Sequence, residues 1–116
     1  MKIFSTAPEG NEMADLENAR YFNLALKHIE ENAAWLKTSG KPEQALLTHI
    51  DILVMLAGRF PVNAGLLIRK DRVQEWKQVF NDWFERCGNK IPAKFRDGIK
   101  DNGNELFKKL EQYGHE

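Results

Sequence analysis

The sequence predicts an all-α fold: a compact single-domain bundle of four to five helices around a central apolar helix at about residues 42–58. Three observations carry that expectation. No segment alternates apolar and polar residues as a half-buried strand requires. Apolar residues recur instead at spacings of three, four and seven, the period of a helix face. Gly and Pro punctuate the chain at 38–44, 58–61 and 88–92, dividing it into helix-length pieces.

Residues 1–11 read as a partly flexible leader and residues 12–116 as one helical domain. The first helix is expected from about 12 to 37. Phe22, Ala25, Leu26, Ile29, Ala33 and Leu36 make one apolar stripe, and Tyr21, Leu24, His28 and Trp35 make a second beside it. A helix apolar over more than half its circumference needs two neighbours, or one neighbour and a partner chain. "TSGKPEQ" (38–44) closes it, with Gly40 suited to the position after the helix and Pro42 to the first turn of the next.

Helix two, about 42–58, is apolar nearly all round, with only Gln44, Thr48 and Asp51 as a narrow polar strip, which is the pattern of a buried helix. The stretch "DRVQEWKQVFNDWFERC" (71–87) is strongly amphipathic, with Val73, Trp76, Phe80, Trp83, Phe84 and Cys87 on one side. Asp71 and Gln74 fit a capping box at its start. Trp76 and Trp83, seven residues apart, suit a seam between two copies if the stripe is only partly covered. "GNKIP" (88–92) breaks the helix. "AKFRDGIK" (93–100) reads as a short helix with Phe95 and Ile99 inward, and "DNGN" (101–104) as a turn. The last helix, about 104–113, rests on Leu106, Phe107, Leu110 and Tyr113.

Composition narrows the function classes. The 116 residues carry no net charge, with 42% hydrophobic and 29% charged residues, so no global field favours nucleic acid or an anionic surface. Residues 1–58 hold five Lys and Arg against eight Asp and Glu, and residues 59–116 hold twelve against nine, a mild shift from −3 to +3. The single cysteine suits a reducing compartment. "MKIFSTAPEGNE" lacks the apolar run of a signal peptide, and "ILVMLAG" (52–58) is far too short to span a bilayer. A cytoplasmic protein without membrane association is expected.

No catalytic constellation stands out, and an enzyme is not expected. There is no Walker loop, no G-x-G-x-x-G, no G-x-S-x-G and no paired C-x-x-C. Cys87 ends a helix, where the dipole disfavours a thiolate, so it reads as a core residue. His28 and His49, with Glu31, are the one conceivable metal set. However, neither histidine has the Glu three residues before it that bundle metal sites use, and core histidines are expected. No cofactor or metal is nominated.

Residues 56–72, "LAGRFPVNAGLLIRKDR", are the preferred site. A helix-turn-helix reading places Arg59 where a buried residue belongs and leaves Asn63 as the sole base reader. Arg69, Lys70 and Arg72 fall at the far end, where phosphates rather than base edges lie. The alternative is an apolar turn, too crowded for one core, rimmed by cations. The expected partner-binding residues are Arg59, Phe60, Leu66, Leu67, Arg69, Lys70 and Arg72. The function expected is therefore binding of a macromolecular partner, a protein first, with a homodimer as one form of it. A nucleic-acid-associated regulator using the basic second half comes next. A ligand pocket near His28, His49 and the tryptophans comes third.

Overall fold

Asn11 starts the first helix. Its side-chain Oδ1 accepts the amide of Ala14 at 2.8 Å, and Glu12 and Asp15 face the positive end of the helix dipole. In the computed structural model, which describes residues 2–8, 10–40 and 45–116, this helix α1 runs Glu12–Leu36. Helices α2 (Ala45–Arg59), α3 (Pro61–Leu67), α4 (Lys70–Cys87) and α5 (Ala93–Tyr113) follow, with one 3-10 turn, Gly88–Lys90, between α4 and α5. The expected start of helix two at Pro42 lies outside the described residues. Among those described there is no strand, only isolated bridges Ile3–Asn11 and Arg69–His115. The all-α bundle holds.

Four helices form a ring in which α1 packs on α2, α2 on α5, α5 on α4 and α4 on α1. The short α3 closes one end against α1, α2 and α5. The ring's interior is filled chiefly by α4, whose Val73, Trp76, Phe80, Trp83, Phe84 and Cys87 are all buried. Phe22, Ile29 and Leu36 of α1, Leu46, Ile50 and Leu53 of α2, and Phe107 and Leu110 of α5 complete the core. Burying a side chain of this size contributes roughly 1.5–3 kcal/mol before entropy is charged against it.

Five details differ from the sequence reading. Helix two is not enclosed: Leu46, Ile50, Leu53 and Ala57 point inward, while Ile52 and Met55 on its other side are exposed. Trp76 and Trp83 belong wholly to the interior, which removes them from any seam. The capping box does not form. Arg69 occupies the N-cap, Asp71 accepts from Arg69 at 2.7 Å and from the amide of Arg72 at 2.9 Å, and Gln74 donates to Glu111 at 2.6 Å.

Finally, "DNGN" is no turn, because α5 is continuous from Ala93 to Tyr113. A Cβ on Gly103 would lie 2.8 Å from Cζ of Phe80, so glycine is what lets α5 pass over that ring. Asn104 donates to the Lys100 carbonyl at 3.0 Å and exchanges amide bonds with Asn81 of α4. Both turn-forming residues are thus satisfied by the neighbouring helix. Phe95, expected inward, is exposed, with the Lys94 ammonium 4.9 Å from its ring centroid.

Several cations hold carbonyls at element ends. Arg86 donates to the Leu36 carbonyl at 2.7 Å and to Ser39 at 3.2 Å, closing the end of α1, whose own last turn has no basic residue. Arg96 donates to the carbonyls of Gly88, Asn89 and Ile91. Lys90 donates to the Gly40 carbonyl.

Candidate functional site

The turn expected to bind a partner is ordered by proline. Pro61 stands at the first position of α3, where its missing amide leaves nothing unpaired. Seven residues of helix turn Ala64 and then Ile68 into the core and leave Val62 and Leu66 outward at 75% and 73% exposure. Phe60 and Leu67 are half-buried, and the Arg59 guanidinium sits 5.3 Å over the Phe60 ring. The apolar turn therefore divides between core and solvent.

Its cations are largely engaged within the molecule. Arg69 bridges Asp71, and Lys70 lies 3.9 Å from Glu116. Arg72 binds Glu30 through both Nε, at 2.9 Å, and its terminal nitrogen, and also binds Glu75. Glu30 accepts the Trp76 indole as well, at 3.0 Å, so this cluster fastens α1 to α4. The bond to Glu30 holds the Arg72 guanidinium above its ordinary pKa. Asn63 donates to the Asp15 carbonyl at 3.2 Å rather than facing outward as a reader of bases.

A second surface surrounds His28 and His49, where the sequence suggested a ligand pocket and where the second stripe of α1 called for another neighbour. On the outer side of the α1–α2 seam, Tyr21, Leu24, Ala25 and His28 of α1 face His49, Ile52 and Leu56 of α2 across a shallow groove of about 220 Å³. Tyr21 is 62% exposed, Leu24 53% and Ile52 42%. Further along the same flank of α1, Trp35 is 42% exposed, and on α2 Met55 is 66% exposed. A wider depression of about 480 Å³, bounded by Glu17, Arg20, Tyr21 and Leu24, continues the groove. The local cause is the double stripe of α1: its first stripe fills the ring, and its second is left facing out beside an equally apolar α2. That double stripe was legible. Which stripe α4 and α5 would leave uncovered was not.

The two histidines meet here rather than in the core. Their rings stack at 4.9 Å with 12° between planes, and both are half-buried. Burial, then the neighbouring His28, hold the His49 imidazole below its usual pKa. His28 Nδ1 lies 3.9 Å from Glu31. Imidazole lone pairs lie in the ring plane, so two parallel stacked rings do not converge on one ion. Among the described residues no group of three or more His, Cys, Asp or Glu is placed to hold a metal. The pocket expected at His28 and His49 is thus an open apolar groove, and the core tryptophans Trp76 and Trp83 take no part in it. Cys87 is buried with its thiol 3.5 Å from the Ser39 carbonyl.

No helix among the described residues is long and apolar enough to cross a membrane. No protein-family model matches the chain, and neither a curated protein nor a solved structure matches it.

Proposed function

We propose that the protein acts by binding a protein partner through the outer face of the α1–α2 pair, rather than by catalysis. The observation that carries this reading is the apolar groove between α1 and α2, lined by Tyr21, Leu24, His28, His49, Ile52 and Leu56, with Tyr21, Leu24 and Ile52 exposed. Single exposed apolar residues are ordinary, but a contiguous patch rimmed by charge marks an interaction site. A groove between two helices accepts the side-chain ridge of a third helix, with one apolar anchor per turn. The face has charged edges in Glu17, Arg20 and Glu31 to set register.

The α3 end, with Arg59, Phe60, Leu66, Leu67, Arg69, Lys70 and Arg72, is the lesser surface. Its outward apolar residues are Val62 and Leu66, and Arg69 and Arg72 already have carboxylate partners. Affinity capture from extracts of the source cells separates the two. Leu24→Asp/Ile52→Asp is expected to lose the captured protein, whereas Val62→Asp/Leu66→Asp keeps it, both variants retaining the wild-type circular dichroism. The reverse pattern moves the binding site to α3, and retention by both variants removes the proposal.

A further inference from the structure

We infer that the occupant of the α1–α2 face is a second copy of this chain, paired antiparallel along α1; this rests on the reading of that face as a binding surface. The first argument is shape. The molecule measures 53 × 24 × 22 Å with a radius of gyration of 15.9 Å, against about 13 Å for a self-sufficient domain of this length. Its accessible surface is 7252 Å², against roughly 6,500 Å² for a folded monomer of this mass. Part of that excess is the segment before α1, where Ile3 and Phe4 are 70% and 62% exposed, and part is the uncovered α1–α2 face.

The second argument is area. Tyr21, Leu24, Trp35, Ile52 and Met55 together expose on the order of 500 Å² of side chain, taking roughly 150–250 Å² for each fully exposed large residue. A standard interface needs about 800 Å² from each partner. The half-buried His28, His49 and Leu56 and the charged edges of the groove add to that area. A two-fold interface uses one patch twice, so a single self-complementary face suffices.

The third argument is register. Tyr21, His28 and Trp35 recur every seven residues on this flank, and Glu17, Leu24 and Glu31 recur every seven between them. Antiparallel pairing sets one series against the other. With Leu24 against the partner's His28, Tyr21 falls opposite the partner's Glu31 and Trp35 opposite the partner's Glu17. Each carboxylate in the stripe then meets an O–H or N–H donor, the hydroxyl of Tyr21 or the indole of Trp35, and the apolar Leu24 meets the flat imidazole. A parallel pairing would instead set Glu17 against Glu17 and Glu31 against Glu31, which like charges oppose. Lys27 of the two copies comes nearest the axis at the outer rim, a like-charge contact left to solvent screening. Ile52 and Leu56 of each α2 border the α1 pair, giving four helices across the interface.

Sedimentation equilibrium of the purified full chain over about 1–100 μM tests the assembly. The expected result is a concentration-dependent mass approaching the dimer, abolished by Leu24→Asp and unchanged by Val62→Asp. A constant monomer mass overturns the inference. It leaves the wider reading to stand or fall on capture of a different protein by the same face. Arrangement is tested separately by thiol oxidation. An equimolar mixture of Tyr21→Cys and Glu31→Cys is expected to give a disulfide-linked dimer, and each variant alone is not. Self-linking by Tyr21→Cys alone overturns the antiparallel register. Cys87 is buried, and the wild-type chain serves as its control in both experiments.

Discussion

Along α4, Val73, Trp76, Phe80 and Trp83 recur at helical spacing and are almost completely buried. Along α1, Tyr21, Leu24, His28 and Trp35 recur at the same spacing and stand open or half-open to solvent. Both stripes follow a helical period and carry large side chains, although Glu31 interrupts that of α1. The difference lies in where each helix sits in the ring. The stripe of α4 points at the interior shared by α1, α2 and α5, whereas the second stripe of α1 points away from it along the seam with α2. Helical spacing locates a stripe; only the neighbours decide whether it becomes core or interface.

The sharpest way to break that comparison is to remove one large ring from each stripe. Trp83→Ala is expected to cost about 3–5 kcal/mol of folding stability, since a buried indole leaves a cavity. Trp35→Ala, at a side chain 42% exposed, should cost clearly less, about 1–2 kcal/mol, measured by urea denaturation of dilute protein. Comparable losses at the two positions would make the α1 stripe part of the fold rather than a docking face.

Two glycines of α5 sharpen the contrast at smaller scale. Gly103→Ala drives a methyl into the Phe80 ring and is expected to cost about 1–3 kcal/mol. Gly98→Ala has nothing within 4 Å to meet and should instead gain about 0.4–1 kcal/mol by restricting the unfolded chain. Urea midpoints moving in opposite directions confirm that α5 is seated on α4 at Gly103; a neutral Gly103→Ala would mean the ring gives way.

The smallest effect concerns the histidine pair. His49 is held below its ordinary pKa by burial and by stacked His28, with Glu31 the nearest carboxylate to His28. The unfolded chain therefore binds a proton more readily than the folded one. Stability at this site is fully present above the unfolded histidine pKa of about 6.5 and declines as pH falls through it toward the lower folded value. A modest fall in Tm between about pH 7.5 and about pH 5.5, removed in His49→Gln, is expected. An unchanged pH dependence in that variant would assign the fall to other groups.

Much of the scaffold was legible in the sequence. The span of α1, the inward stripe of α4 and the burial of Cys87 all followed from spacing. What escaped was non-local. "DNGN" has every mark of a turn until Phe80 is seen to require Gly103, and Asn104 is seen to bond Asn81. Asp71 and Gln74 had the right spacing for a capping box, but Arg69 and Glu111 compete for them. The candidate face is half-legible: the two stripes of α1 announce a second neighbour, whereas no local pattern shows that Arg72, in the basic stretch after α3, is bound by Glu30 and Glu75.

The reach of Arg86 across to Leu36 and Ser39 has a consequence for how the molecule comes apart. The final carbonyl of α1 and that of Ser39 just beyond it are held by a side chain some fifty residues away, so that end unwinds when α4 departs, not when the rest of α1 frays. In terms of cooperative units, the helix is shared property: its middle is anchored by its own packed stripe, and its last turn opens and closes with α4.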